Sequence, residues 1–343
     1  MKQITHLFLA LSIITLAGCG KATPYKFKLD PKGKPIIRLQ QQWYANSGFA
    51  GELWAAQLCN SPKTASKYNI TLQVIQGSDQ IDTKQVVMMG EAEFGVAGAE
   101  QIMQANERGS NFVVVGVINY QSLACFISKK DKGIMKPKDF EGHKIGTMEG
   151  SPVDMIYQVL KKKESLQIPN KDEVPTGWQL TGFVKGDYDV YPAFINDEPI
   201  KLRRQGVELS PPIEPVHYGV EFIGTVYFCK RALVQAAPDV VQSFVNAIAD
   251  GWLTAMKDPK QATAYLKAYD KAIDEGKELE SLVAGRNFYK GEDGKVLYCE
   301  EGTWNRMADT LKSIGQIKSF NYSTTVENKF VSWYHSNVAP STQ

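Results

Sequence analysis

Histidine is scarce in this 343-residue chain, four in all. His143, His217 and His335 stand alone, at no spacing from each other or from a cysteine that would ligate a metal. No Gly-rich loop ends in Lys-Ser or Lys-Thr, so any ATP hydrolysis belongs to a partner. No Gly-x-Ser-x-Gly elbow is present, which removes the commonest serine-hydrolase arrangement. Neither sign of charge dominates: 39 Lys and Arg against 37 Asp and Glu leave +2, with no basic block, and nucleic acid is not an expected partner. Five cysteines are too sparse for a disulfide scaffold. Setting Cys19 aside, Cys59, Cys125, Cys229 and Cys299 allow three pairings or none, and the sequence does not choose. No repeat or low-complexity stretch occurs. No metal, cofactor or catalytic residue is expected.

What is present is an ordinary globular composition, 43 % hydrophobic and 22 % charged, over a length that suggests two domains. Lys2 and the apolar run Leu7–Leu16, broken only by Ser12 and Thr15, read as a secretory signal over residues 1–18. Ten residues are too few to span a bilayer. Leu16-Ala17-Gly18-Cys19 resembles a bacterial lipobox, which implies that Cys19 is acylated and becomes the new amino terminus. Residues 19–35, with Pro24, Pro31, Gly33 and Pro35, then read as a lipid-anchored tether outside the cytoplasmic membrane or in the periplasm.

From Ile36 strand-like and helix-like segments alternate. Ile36–Gln40, Ile70–Ile75, Phe94–Ala97 and Phe112–Val117 read as strands, with helices over Gly48–Leu58, Asp79–Met89 and Glu100–Arg108 between them. That order argues for an α/β domain with a largely parallel sheet. A second α/β pattern has strands at Phe126–Ser128, Lys144–Thr147 and Gly182–Val184, a helix from Pro152 to Lys163 capped by Ser151, and a strong apolar strand at Phe222–Phe228. The remainder reads as helical. Val240, Val241, Phe244, Val245, Ile248 and Trp252 form one apolar stripe, Asp258-Pro259 caps a helix, and another covers Trp304–Ile314.

Four separated stretches carry a resemblance over about Leu39–Tyr269: Gln42–Gly51 (QWYANSGFAG), Gly90–Ala97 (GEAEFGVA), Lys132–Ile134 with Pro137–Gly146 (KGI, PKDFEGHKIG), and Gly186–Tyr191 (GDYDVY) through Asn196 and Glu198-Pro199. They resemble the periplasmic substrate-binding proteins of ABC importers for thiamine-pyrimidine precursors, sulfonates, taurine and nitrate. Two positions depart from that pattern. Phe49 lies where pyrimidine-precursor binders often have a histidine, and His143 where a lysine is usual, which puts thiamine precursors specifically in question.

The resemblance implies an α/β, two-lobed periplasmic-binding-protein fold of type II-like topology, with a ligand cleft between lobes joined by two crossover strands. Residues 36–123 and 228–343 would form lobe one and residues 124–227 lobe two, with Leu123–Phe126 and Thr225–Phe228 as hinges. Ligands sit beyond the carboxyl ends of such strands. The loops there offer the flat faces of Trp43, Tyr44, Tyr120 and Tyr191, joined by Phe194, and the polar edges of Asn46, Gln121, Ser122, Asn196 and Glu198. Gly98 and Gly150 complete the candidate set. Trp43, Tyr191 and Phe194 also fit core positions, and Glu198 a solvated loop. Ser151, at a helix N-terminus, fits an anion, with Lys185 as the nearby cation. The expected function is capture of a planar nitrogen heterocycle, of pyrimidine or vitamin-precursor type, for delivery to an ABC permease and its ATPase. The alternative is a small anion such as a sulfonate or nitrate. An enzyme resembling the eukaryotic pyrimidine synthase, which consumes its own histidine and needs iron and clustered cysteines, is a further alternative, but no such cluster occurs.

Overall fold

The computed structural model describes residues 25–291 and 293–339; the expected signal segment and Cys19 lie outside them. In chain order the first lobe holds β1 (Ile36–Gln40), α1 (Ala50–Asn60), β2 (Thr71–Ile75), α2 (Thr83–Met89), β3 (Phe94–Gly98), α3 (Ala99–Glu107) and β4 (Phe112–Val117). The second holds β5 (Ala124–Ser128), β6 (Ile145–Thr147), α4 (Pro152–Lys163), β7 (Glu173–Pro175), α5 (Thr181–Lys185), β8 (Val190–Phe194) and α6 (Glu198–Arg204). The chain then returns through β9 (Thr225–Lys230) to α7 (Arg231–Ala236), α8 (Pro238–Lys257), α9 (Pro259–Tyr269), α10 (Glu275–Gly285), α11 (Glu301–Ser313), α12 (Tyr322–Thr325) and α13 (Lys329–Asn337).

The strands form two sheets, β2-β1-β3-β9-β4 and β5-β8-β6-β7. Each sheet is parallel except for one reversed strand: β9 runs antiparallel to β3 and β4, and β5 antiparallel to β8. Those two strands are the first elements after each passage between lobes. The passages run side by side, the Ser122 N–H donating to Phe222 O (2.7 Å) and the Gly224 N–H to Asn119 O (2.9 Å). A two-lobed body with a cleft and two crossovers follows.

Local chemistry explains most boundaries. Asp82, Ser151 and Asp258 each accept a backbone N–H in the first turn of α2, α4 and α9, so α2 starts at Thr83, not Asp79. The stripe on α8 is buried against α1. The two helices meet at Gly51 and Gly251: a Cβ on Gly51 would fall inside the indole of Trp252, and one on Gly251 would meet the Gly51 carbonyl. Gly182–Val184 is not a strand but part of α5, ended by Gly186 at φ +87°, whose N–H reaches the carbonyls of Gly182 and Phe183. A three-residue apolar run holds too little periodicity to distinguish the two states. Phe222–Gly224 belongs to the crossover, and β9 begins at Thr225. Residues 25–35 differ from a free tether: Tyr25 and Phe27 pack on the lobe-one core, their rings 4.8 Å apart, and Asp30 binds the Thr71 hydroxyl at 2.7 Å. This stretch is part of lobe one. Cys59, Cys125, Cys229 and Cys299 are buried free thiols, and burial raises all four pKa values, that of Cys59 to about 12.

Candidate functional site

A cavity of about 480 Å³ opens where the lobes face each other. Lobe one contributes Trp43–Asn46, the loop that leaves β1, and residues 272–278 at the start of α10. Lobe two contributes Asp197 and the α6 residues Lys201 and Arg204, with Gln205 after them.

Aromatic rings cross the cleft at this point. Trp43 is half-buried against the lobe-one core. Its ring meets Tyr44 edge-on at 5.6 Å and, from the other lobe, Trp178 at 6.1 Å and 64°. Trp178 follows β7 and stacks on Phe194 at 5.7 Å and 18°. Four rings therefore gather at one mouth, two from each lobe. Pairs of this kind contribute about 0.5–1.5 kcal/mol beyond area burial.

The charged groups lining the cavity are balanced. Asp197 pairs with Lys201 at 2.6 Å and with Lys277 across the cleft, and Lys277 also meets Glu278 at 3.0 Å. Arg204 reaches Asp274 at 3.0 Å and Glu280 at 2.6 Å, again across the cleft. Three cations and three carboxylates line the space, and each has an opposite charge within reach. Glu278 is anchored further by the Ser47 N–H at 2.6 Å. Beside them Glu198 is buried in the first turn of α6, accepting the Phe194 N–H at 2.8 Å. Burial, helped by the charge of Asp197, pushes its pKa up to about 7. Asn196 is buried next to it.

Of the residues picked from the sequence, Trp43, Tyr44 and Asn46 line the cavity, with Phe194, Asn196 and Glu198 beside it. The others lie elsewhere. The Tyr191 side chain is fully buried in lobe two, stacked on Tyr188, and its hydroxyl donates to Gly177 O at 3.1 Å. Tyr120 is clamped by the C-terminal region: its N–H donates to Phe288 O, and its hydroxyl accepts the Tyr298 N–H at 2.6 Å. Gln121 and Ser122 sit at the crossover, beside Phe222. Gly98 leaves room for the Glu100 carboxyl, which burial raises to about 7. Gly150 is exposed at φ +79°, and the Ser151 hydroxyl is engaged as the cap of α4. Trp178, Lys201, Arg204 and the Ala272–Glu278 segment were not legible as site residues. The last of these arrives from a helix far along the chain, and only the return of the chain through β9 brings it to the cleft.

The description "NMT1/THI5 like" fits residues 66–262, more than half of the chain. A 4-amino-5-hydroxymethyl-2-methylpyrimidine phosphate synthase of Legionella pneumophila is 22 % identical over 232 residues, covering 67 % of this chain and 72 % of that protein. Among solved structures, the putative periplasmic sulfonate-binding protein SsuA of Methylobacillus flagellatus KT has a TM-score of 0.65 at 16 % identity, covering 89 % of this chain and 95 % of its own. The desulfurization enzyme DSZB is similar at a TM-score of 0.58 and 13 % identity, covering 88 % of this chain and 99 % of its own. Likeness at that level shows the periplasmic-binding-protein fold and nothing finer. The chain belongs to the NMT1/THI5-like family.

Proposed function

We propose that this protein is an extracytoplasmic lipoprotein that captures an uncharged, planar heterocycle between its lobes and delivers it to the permease and ATPase of an ABC importer. The observation that carries this reading is the cavity wall: the rings of Trp43 and Tyr44, the former meeting Trp178 of the other lobe, beside charges that already neutralise each other. A flat neutral ring gains stacking area there without having to displace an ion pair. The neighbouring carboxyl of Glu198 and amide of Asn196 supply a polar edge.

The second reading, a sulfonate or similar anion, draws on Lys201, Arg204 and Lys277, which line the same space. An anion would have to take the place of a carboxylate already bound to them, most directly Asp197. An enzyme reading rests on the name of the Legionella relative, and it differs in leaving a product. A thermal-shift and calorimetric panel of pyrimidines, purines, flavins, alkanesulfonates and nitrate separates these readings. A ligand at a hundred times its Kd adds about 2.7 kcal/mol to stability. Stabilisation by a neutral ring, with the compound recovered unchanged by mass spectrometry, is the expected result. Stabilisation by sulfonate alone, or conversion of any candidate, overturns the proposal.

A further inference from the structure

A second surface of lobe one lies at the other end of β1 from the cleft. Residues 28–36 form a hairpin that feeds β1, with Leu29 paired to Pro35 and the Ile36 N–H donating to Lys28 O at 2.8 Å. Gly33 turns its tip at φ +80°. Asp30 pins the hairpin to lobe one, accepting the N–H groups of Lys32 and Lys34 and the Thr71 hydroxyl. Ahead of it Tyr25 and Phe27 pack on the lobe-one core, while the alternate residues Lys26 and Lys28 are exposed. The five residues of β1 then run about 17 Å to the Trp43–Asn46 loop of the cavity.

This end of the lobe carries a charge that the near-neutral chain as a whole does not. Lys21, Lys26, Lys28, Lys32 and Lys34 fall within residues 21–34, where the only acid is Asp30. They are spaced along the chain, so no basic block shows in the sequence. The fold adds to them: the Lys34 ammonium donates to Ala65 O at 2.6 Å, which brings the loop bearing exposed Lys63 alongside. Neighbouring Arg38 and Lys67 are paired with Glu93 and Asp250, but among the described residues Lys26, Lys28, Lys32 and Lys63 have no carboxylate partner. Leu29 stands between these lysines and is 60 % exposed. A single surface leucine means little. Flanked by exposed ammonium groups, it matches the chemistry of a bilayer surface, where apolar side chains enter and cations meet the headgroups.

We propose that the hairpin is a membrane-contact surface: Lys26, Lys28, Lys32 and Lys63 meet anionic phospholipid headgroups, Leu29 enters the acyl boundary, and the cleft faces away from the bilayer. This proposal rests on the reading of Cys19 as a lipid anchor. Six residues separate Cys19 from Tyr25, at most about 22 Å of chain, so anchored acyl chains hold the hairpin within reach of the headgroups. Tethering raises the local concentration of the surface, and a weak electrostatic attraction then suffices to orient the lobe.

The test uses the full protein isolated from membranes and reconstituted into vesicles. Leu29→Cys is labelled with an environment-sensitive nitrobenzoxadiazole, and Val184→Cys, exposed on α5 of lobe two, is labelled as the comparison. Cys59, Cys125, Cys229 and Cys299 are buried and escape the reagent. The expected result is a blue shift at position 29 on vesicles of phosphatidylcholine with phosphatidylglycerol, and none on phosphatidylcholine alone. Raising NaCl from about 0.1 to 1 M shortens the Debye length from about 10 to 3 Å and should remove the shift. Lys26→Gln, Lys28→Gln and Lys32→Gln combined should remove it too, with the melting temperature unchanged because all three side chains are exposed. An equal shift on both vesicle types, or none on either, overturns the contact surface. A matching shift at position 184 overturns the orientation. The mass of the N-terminal peptide keeps the two readings apart. A peptide without acyl chains overturns the lipid anchor, whereas an acylated protein that shows no lipid-dependent shift overturns the hairpin contact alone.

Discussion

Lys277, on α10 of lobe one, forms an ion pair with Asp197, which precedes α6 in lobe two, so the two lobes are joined by a buried cation and a carboxylate. Arg204 adds two more links of the same kind, to Asp274 and Glu280, but these are far more exposed. The seam borders the cavity.

The first prediction concerns that seam. Lys277→Met should favour the open form and lower apo stability by about 1–3 kcal/mol. This is below the usual cost of breaking a buried pair, because Asp197 keeps Lys201 and Glu278 keeps the Ser47 N–H. Burial raises the Asp197 pKa, but Lys277 and Lys201 outweigh it and hold the carboxyl below its ordinary value. Its contribution is therefore present above about pH 4 and lost as acid titrates it. Small-angle scattering should show a larger radius of gyration for the variant at neutral pH, and for wild type in acid. A variant as compact as wild type removes the latch role.

The second prediction is about Glu52, fully buried on α1, bound by Gln41 Nε2 at 2.8 Å and facing the Tyr227 hydroxyl, with no cation paired to it among the described residues. Burial raises its pKa from 4.5 to about 8. The folded state thus holds a proton that the unfolded chain releases, and stability falls as pH rises between those values, by about 1.4 kcal/mol per unit. Glu52→Gln keeps an acceptor for Gln41 and removes the titration. Its melting temperature should exceed that of wild type increasingly from pH 6 to 8. Parallel pH curves for the two proteins would refute the assignment.

How much of this was legible depended on how locally each feature is determined. β1, β4 and α4 read correctly from alternation, an apolar run and a Ser-Pro start, because their causes lie within the segment. Trp43, Tyr44 and Asn46 were legible because they follow a strand end directly. Tyr191 and Tyr120 looked equivalent to them, but sequence cannot say which side of a strand or crossover faces the cleft, and both turned into the protein. Lys277 and Arg204 carried no signal at all. They meet the site only through contacts between segments more than seventy residues apart.

Gly51 tests the packing under the site. Gly51→Ala places a methyl inside the Trp252 indole, where the backbone contact of α1 with α8 leaves no room to shift. Overpacking of this kind costs about 1–3 kcal/mol or more. Denaturant unfolding should show that loss. An unperturbed midpoint would mean that the helices separate easily.

The lipobox gives a prediction outside the described residues. Cys19→Ala should abolish incorporation of labelled palmitate and release the protein from membranes or leave its leader uncleaved. Equal labelling of mutant and wild type would sink the lipid anchor.

Trp43 offers the sharpest separation of binding from folding. Its ring is half-buried, touching the lobe-one core on one side and Trp178 of the other lobe at 6.1 Å. A ring ligand stacked there should quench tryptophan fluorescence. Trp43→Ala should then weaken binding by about 2–4 kcal/mol, the range of an aromatic hot spot. Apo stability should fall by less than the roughly 3–5 kcal/mol that truncating a fully buried tryptophan costs. The comparison needs both measurements on the same variant. A full core-sized loss without ligand would reassign Trp43 to the lobe-one core, and an intact affinity would move the ligand away from the aromatic mouth of the cleft.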